Sequence, residues 1–538
     1  MKRENGKPQL RIMIYTRQMH HIIKYSSIVL CCVAITIGAA AVPDVTRMWF
    51  TPPVIPLDFT GSISFEATVT ESPTSVMFEY NGVDRVMYDD GTHGDLVPAD
   101  GTWTTIFQAN EILTKLTPSR VYRPFIGYCK PGGGSRYSIF AEIWTPDIGI
   151  VDVRPLSTNA QETDYLVNFK ATKSQLMSFS ASYWANQFYS VCEDSFDFIQ
   201  FVHIAGKRGN RYHSIVKNSV QGIGLNIYDN SATFGSSGRL KGYTVYPLSN
   251  LFDCGVRNFN HEIGHQWINF LSGTPFSSGI SHWPKGDVAI NIMGFSLQGG
   301  AGGRYYYTFT PDGQGGFHVG TGNGTNSHSF NNMELYLMGL VPAAEVGTFF
   351  VLKNQNLNLT VGQTLQFSDI TLVTVDDVIS AKGVRTPASA NAQSTFRCAT
   401  VVLSEQLLDV HAVSFYDWFA RRAEAKQQLS YASGFATGTS NPFYVATGAR
   451  AVMFSKIANE TPTLNISWLA NDQFSLSFLG KLGIQYQPQV SSNLVTWVNM
   501  GPPVLAPLIQ PSGDNPVSVT VTTSPGMSTG FWRVECAY

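Results

Sequence analysis

The chain of 538 residues carries 36 basic and 38 acidic side chains, so its formal charge at neutral pH is only −2, and charged residues make up just 14% of it. So sparse and balanced a set of charges offers no basic face to meet phosphates, which excludes a nucleic acid as partner. The length exceeds one ordinary core and calls for two to four domains, and 12% aromatics with 48 Gly suit a β-rich extracellular protein.

At the N-terminus, Lys24-Tyr25-Ser26-Ser27 leads into an apolar run from Ile28 to Ala41, with Ala39 and Ala41 spaced as an A-x-A cleavage site before Val42-Pro43. The run falls short of the roughly 20 residues a bilayer needs. Residues 1–41 therefore read as a secretory signal peptide, which places the mature chain in a secreted, cell-surface or periplasmic location with no stable membrane span. The basic leader is long, so Met13 and Met19 are candidate starts. Cys31 and Cys32 would leave with the signal, and Cys129, Cys192, Cys254, Cys398 and Cys536 would remain. An odd number leaves at least one thiol unpaired, and none has C-x-x-C spacing.

Residues 42–150 read as a small antiparallel β-sandwich, with alternating strands such as Ser62–Val69 and Ser75–Tyr80 separated by turn residues. The segment from Tyr88 to Trp103 resembles the D-D-G-x-x-G-D-x-x-x-x-D-G segment of immunoglobulin-like modules. Its carboxylates, Asp89, Asp90, Asp95 and Asp100, could gather Ca²⁺, but Asp-Gly pairs are also strong turn formers and the spacing is not that of an EF-hand.

Residues 151–458 change texture to longer apolar segments and helical patterns, as a mixed α+β catalytic domain would. Phe196–Ile204 reads as a buried strand and Ala412–Glu424 as an amphipathic helix. Residues 459–538 return to strands, among them Ile484–Trp497 and a terminal Phe531–Val534. This last stretch resembles C-terminal β-sandwich modules appended to secreted bacterial enzymes. The expected fold class is a multidomain chain in which an α+β zincin-like catalytic domain is flanked by two small all-β sandwich domains.

The strongest chemical statement is His261-Glu262-Ile263-Gly264-His265, the H-E-x-x-H zinc-hydrolase pattern. Residues four apart share a helix face, so His261 and His265 can present their imidazoles to one Zn²⁺ while Glu262 stands beside them as general base. With His at only 11 of 538 positions, the pattern arises by chance in about one such chain in a hundred. Its setting strengthens it: Ile263, Trp267, Ile268, Phe270 and Leu271 fall largely away from the His pair, as on a half-buried helix. Asn258 or Asn260 is expected to cap the helix and Ser272-Gly273 to end it. Gly264 costs the helix about 1 kcal/mol against Ala, which implies a packing reason for it.

A catalytic zinc usually takes three protein ligands, so a third donor is needed. Downstream stand Ser281-His282-Trp283 and Asn291-Ile292-Met293-Gly294, the latter resembling the Met-turn beneath a metzincin zinc. His282 is the first choice for the third ligand. Glu334, on an expected short helix over 329–340, is the alternative, as in gluzincins, and Asp287 is a further one; Glu334 could instead be a solvated helix position or an acceptor steadying a His ring.

Taken in order, these pieces, with Glu334-Leu335-Tyr336-Leu337-Met338-Gly339-Leu340, Pro342 and Glu345-Val346, resemble a set of secreted bacterial zincin metallopeptidases, metzincin-like with an insertion before the third ligand. Val373–Ile379 and Phe415–Phe419 belong to the same pattern, which spans roughly residues 250 to 450. Singly the pieces are weak apart from H-E-x-x-H, and as an ordered set they are fairly specific. The resemblance implies zinc-dependent hydrolysis of a protein or peptide substrate with Glu262 as general base. Tyr305, Tyr306, Tyr307 and His318 are candidates for steadying the oxyanion, although neighbouring aromatics on strands usually pack. A reading from another class is a surface-associated binding or adhesion protein, whose sandwiches touch glycan or the cell surface around a silent zincin-like domain. Intact His261, Glu262 and His265 weigh against silence.

Overall fold

The structure is a computed structural model that describes residues 41–537 apart from 115–121, 250–251, 279–281, 295–306, 322–327, 432–437, 458–464, 471–472, 482–484, 494–495, 506–513 and 523–530. The expected signal segment, Cys31, Cys32, Tyr305 and Tyr306 thus lie outside the described residues. Residues 43–538 form one compact unit.

Apolar residues alternating with polar ones build the first layer pair. Strands β1 (Val45–Thr51), β2 (Ser62–Val69), β3 (Val76–Tyr80), β4 (Val83–Met87), β5 (Thr102–Gln108), β6 (Phe125–Pro131) and β7 (Tyr137–Phe140) form two antiparallel sheets, ordered β1-β2-β5 and β4-β3-β6-β7. In β2 every second side chain from Ile63 to Val69 is buried, the mark of a strand with one face on a core. Phe65, Phe78 and Phe107 meet edge to face between the sheets, with ring centroids 4.7 and 4.8 Å apart. The turn around Tyr88–Trp103 is held by its own carboxylates: Asp89 accepts the N–H groups of Asp100 and Gly101, Asp95 that of Gly91, and Asp100 that of Thr102. Asp89, Asp95 and Asp100 nonetheless bring one oxygen each within 4.8 Å of the others.

The central layer is an eight-stranded mixed sheet. It contains β8 (Arg154–Ser157), β9 (Ala160–Glu162), β10 (Val167–Lys170), β11 (Phe198–His203), β12 (Tyr212–Ile215), β13 (Gly242–Tyr246), β14 (Thr395–Ser404) and β15 (Val452–Phe454). Its order is β8-β9-β10-β14-β11-β13-β12, with β15 pairing the start of β14. The middle strands β10, β14, β11 and β13 run parallel, and β12 lies antiparallel on β13 at the edge. All six residues of β11 are buried, which parallel strands covered on both faces require. Ile199 and Phe201 point to a core with Trp184 and Phe188 of α1 (Ala181–Tyr189). Phe198 and Val202 point to the opposite core, shared with α2 (Arg257–Gly264), α3 (Asn332–Met338) and α4 (Val410–Arg421).

A small satellite sheet of Tyr307–Pro311, Phe317–Thr321 and Thr364–Leu365 has its own core around Phe350 and Leu365. The last stretch supplies β16 (Asn465–Ala470), β17 (Gln473–Lys481), β18 (Gln485–Ser491), β19 (Asp514–Thr522) and β20 (Phe531–Ala537), in two antiparallel sheets built on β16-β17-β19 and on β18 paired with β20. Cys129, Cys192, Cys254 and Cys398 are all unpaired, and burial pushes the thiols of Cys129 and Cys192 up to about 12. No helix among the described residues is long and apolar enough to cross a membrane.

At the N-terminal ends of the central strands sits a buried charge. The Asp197 carboxylate, fully shielded, accepts the Arg397 N–H at 2.9 Å and the Gln393 amide at 3.0 Å, and lies 3.1 Å from Arg239 Nη2 and 3.4 Å from Lys241 Nζ. It therefore ties β11 to the entry of β13 and to β14. Removing it leaves two largely covered cations without their counter-charge, a loss of about 3 kcal/mol. Asp197→Ala should lower the unfolding free energy by that much, read as a lower urea midpoint at an unchanged slope; a loss under about 0.5 kcal/mol would mean the pairs are solvated and idle.

Candidate metal centre

The helix α2 carries the pattern, but its boundaries differ from the expected ones. Its N-cap is Val256 rather than Asn258 or Asn260, and the first N–H, of Arg257, is satisfied from a distance by Ser440 Oγ at 3.0 Å. Asn260 is buried and donates to the Asn441 carbonyl. The helix also stops at Gly264 with His265 as C-cap, instead of running to Leu271. Beyond it the amides of Gln266 and Trp267 reach back only three residues, and Asn269 turns left-handed at φ +81°. Just past this end the Gln266 side chain is held from a distance: it donates to the Lys217 carbonyl while its Oε1 lies 3.1 Å from His213 Nε2.

The structure brings His261, His265 and His282 together. One ligand atom from each lies within 4.8 Å of the other two. The rings of His261 and His265 stand perpendicular at 4.9 Å, and His282 stacks on His261 at 5.0 Å. His261 and His282 face each other through their Nε2 atoms, 3.1 Å apart. Two nitrogens on one tetrahedral zinc, each at about 2.05 Å, are separated by about 3.3 Å, so this spacing suits a shared cation. The Nδ1–H of His261 donates to the Ile292 carbonyl at 2.7 Å, which leaves its Nε2 as the lone-pair atom. Burial drives all three imidazoles toward the neutral form a metal needs: His261 well below its ordinary range, His265 to about 3 and His282 to about 4, with the Arg257 charge adding to the effect on His261 and His282.

Beneath the histidines lies the turn Asn291–Gly294. Arg257 Nη2 donates to the carbonyls of Ile292 and Gly294, fixing the turn against the start of α2. Met293 is fully buried, and a Cβ built on Gly264 would come 2.3 Å from its sulfur. This is the packing reason for the helix glycine: the thioether occupies the space a side chain at 264 would need.

Glu262 is largely buried, and Arg211 Nε lies 3.1 Å from its Oε1. Burial pushes its carboxyl up to about 7 against the downward pull of Arg211. Glu334, the alternative ligand, does not join the histidine group. Its Oε2 accepts the Asn331 N–H at 2.9 Å, and its Oε1 accepts Trp283 Nε1–H at 2.9 Å and the Met293 N–H at 3.1 Å. It is a fully buried clamp between the neighbour of His282 and the methionine turn, with burial pushing its carboxyl up to about 7. The spacing Asn331-x-x-Glu334 is a capping box, a signal present in the sequence and unused there. Asp287 is likewise outside the group, its Oδ1 accepting the Phe350 N–H at 2.7 Å. Tyr307 and His318 belong to the satellite sheet, where Tyr307 donates to the Leu359 carbonyl and His318 meets Thr364. Arg211 and His213 had no local pattern to announce them.

Gly264→Ala gains about 1 kcal/mol of helix propensity but overpacks a closed site, which costs about 1–3 kcal/mol, so the net change should be destabilising because Met293 has nowhere to retreat. Adding Met293→Ala should recover part of the loss, a coupling of at least about 0.5 kcal/mol in a double-mutant cycle. Additive losses would show that the two side chains do not compete for one space. No family model, curated protein or solved structure matches the chain, so its chemistry rests on the geometry of its own residues.

Proposed function

We propose that this chain is a zinc-dependent metalloendopeptidase with Glu262 as general base. The observation that carries the reading is the convergence of three half-buried, neutral imidazoles, His261, His265 and His282, next to the buried carboxylate of Glu262. A donor set of three nitrogens, with no thiolate and no carboxylate in the group, suits Zn²⁺, and His261, His265 and His282 would hold it with room left for water or substrate. Zinc held there supplies Lewis acidity, which lowers the pKa of water and polarises a scissile carbonyl.

The protein's own groups do the rest. Glu262 takes the proton from the attacking water and delivers it to the leaving amine nitrogen, so one carboxylate serves as base and then as acid. Glu334, through Trp283 and Met293, holds the His282 loop and the turn under α2 in register. The zincin-like fold of residues 151–458, and export under the leader expected over 1–41, belong to the same reading. Protein or peptide outside the cytoplasm is then the substrate class.

Elemental analysis of the full chain should find one zinc per molecule, and casein cleavage should accompany it. Glu262→Ala should keep the zinc and lose about 10²–10⁴ of the rate. His282→Ala should lose zinc, whereas Glu334→Gln should retain it and lose thermal stability. Zinc retained in His282→Ala and lost in Glu334→Gln would reassign the third ligand. No zinc uptake by the wild type would sink the enzyme altogether.

A further inference from the structure

Arg211 ends the connection from β11 to the edge strand β12, and that connection is fastened from outside the catalytic layer. Strand β1 of the N-terminal sandwich holds it at two points, Ala205 and Arg208. Arg47, itself buried, donates through Nε to the Ala205 carbonyl at 2.5 Å and pairs with Glu405. Ala205 sits at φ +58°, a left-handed corner where the chain leaves β11. Three residues on, the Arg208 N–H donates to the Thr46 carbonyl at 2.7 Å, its Nε to the Val45 carbonyl at 2.7 Å and its Nη2 to Asp44 Oδ1 at 2.9 Å. The Arg208 guanidinium also lies 4.3 Å over the Tyr137 ring.

Packing does not do this holding alone. A cavity of about 290 Å³ lies between the two layers at this place, lined by Trp49, Phe50 and Phe140 on the sandwich side and by Arg208, Asn210 and Leu248 on the other. With space beside it, the connection takes its position from the two arginine anchors.

We propose that Arg211 is a positioning residue for Glu262, and that the N-terminal sandwich sets it in place through Arg47 and Arg208. Arg211 Nε stands 3.1 Å from Glu262 Oε1 as an ion pair without hydrogen-bond alignment, and among the described residues no hydrogen bond or ion pair engages Oε2, so the charge draws the carboxylate toward Arg211 by one oxygen and leaves the other to meet the water. The inference rests on Glu262 being the base. It makes the sandwich a permanent part of the working enzyme, not a removable pro-segment.

The test uses the full zinc-loaded chain with Arg211→Gln, Arg211→Lys and Arg208→Ala. Zinc content should stay at one per molecule throughout. In Arg211→Gln, kcat on a casein-derived peptide should fall about 10- to 100-fold, the range expected for a misplaced catalytic group, with KM within about twofold. Arg211→Lys should recover most of the loss, since one contact rather than a fork is replaced. Arg208→Ala should lower kcat in the same direction. An unchanged kcat in Arg211→Gln, or a loss that lysine does not rescue, would overturn the proposal. A wild type that binds zinc but cleaves nothing would refute the peptidase reading instead. The crystal structure of zinc-loaded Arg211→Gln then decides: a displaced Glu262 carboxylate upholds the positioning role, and an unmoved one refutes it.

Discussion

The Glu334 carboxylate accepts three N–H groups that come from three separate places: its own helix cap at Asn331, the indole of Trp283 and the backbone of Met293. Burying such a group costs several kcal/mol, and each N–H bond to a charged acceptor returns about 1.5–3 kcal/mol, so only the full set of three makes the position tolerable. The constraint works in both directions. Because the carboxylate needs all three partners, the loop that carries His282 and the turn that carries Met293 are fixed relative to α3. The turn in turn decides what α2 can be: Met293 fills the space over residue 264, so only glycine fits there, and the Ile292 carbonyl selects the tautomer of His261.

The central sheet supplies the frame for that arrangement. Its parallel strands are covered on both faces, which forces β11 to be apolar on both sides and lets Phe198 and Val202 face the core that α2 shares. Asp197, buried at one end of the strands, holds β11, β13 and β14 in register by charge. The histidine group thus stands on the α2 side of a layer whose alignment is set by a different buried carboxylate.

Local pattern made part of this legible in the sequence. The strand at Phe198–His203, the sandwich strand at Ser62–Val69 and the helix at Val410–Arg421 follow from continuous, period-2 and period-3.6 apolar spacing respectively, each a property of a few neighbouring residues. The pair His261 and His265 is legible for the same reason, because four residues make one helical turn. What escaped the sequence was set by distant partners. The helix cap is supplied by Ser440, and the residue just past the helix end, Gln266, is held by Lys217 and lies beside His213. Arg211 reaches Glu262 only because the sheet brings the start of β12 against α2, and no spacing along the chain encodes that meeting. Glu334 is legible as chemistry but not as to role: a carboxylate at that place suits a ligand or an acceptor, and only the capping-box spacing to Asn331 points to the structural use it has.

The unpaired cysteines give the molecule built-in clocks for opening. Thiolate, not thiol, reacts with disulfides and alkylating agents, and burial holds the thiols of Cys129 and Cys398 far above their ordinary range. Cys129 lies inside the sandwich core and Cys398 inside the central sheet. Labelling at each is therefore silent in the closed molecule and proceeds only as fast as its own layer opens. Two labelling rates that coincide would describe a chain that comes apart as one cooperative body; two that differ would rank the layers by kinetic stability, with no reporter added to the protein.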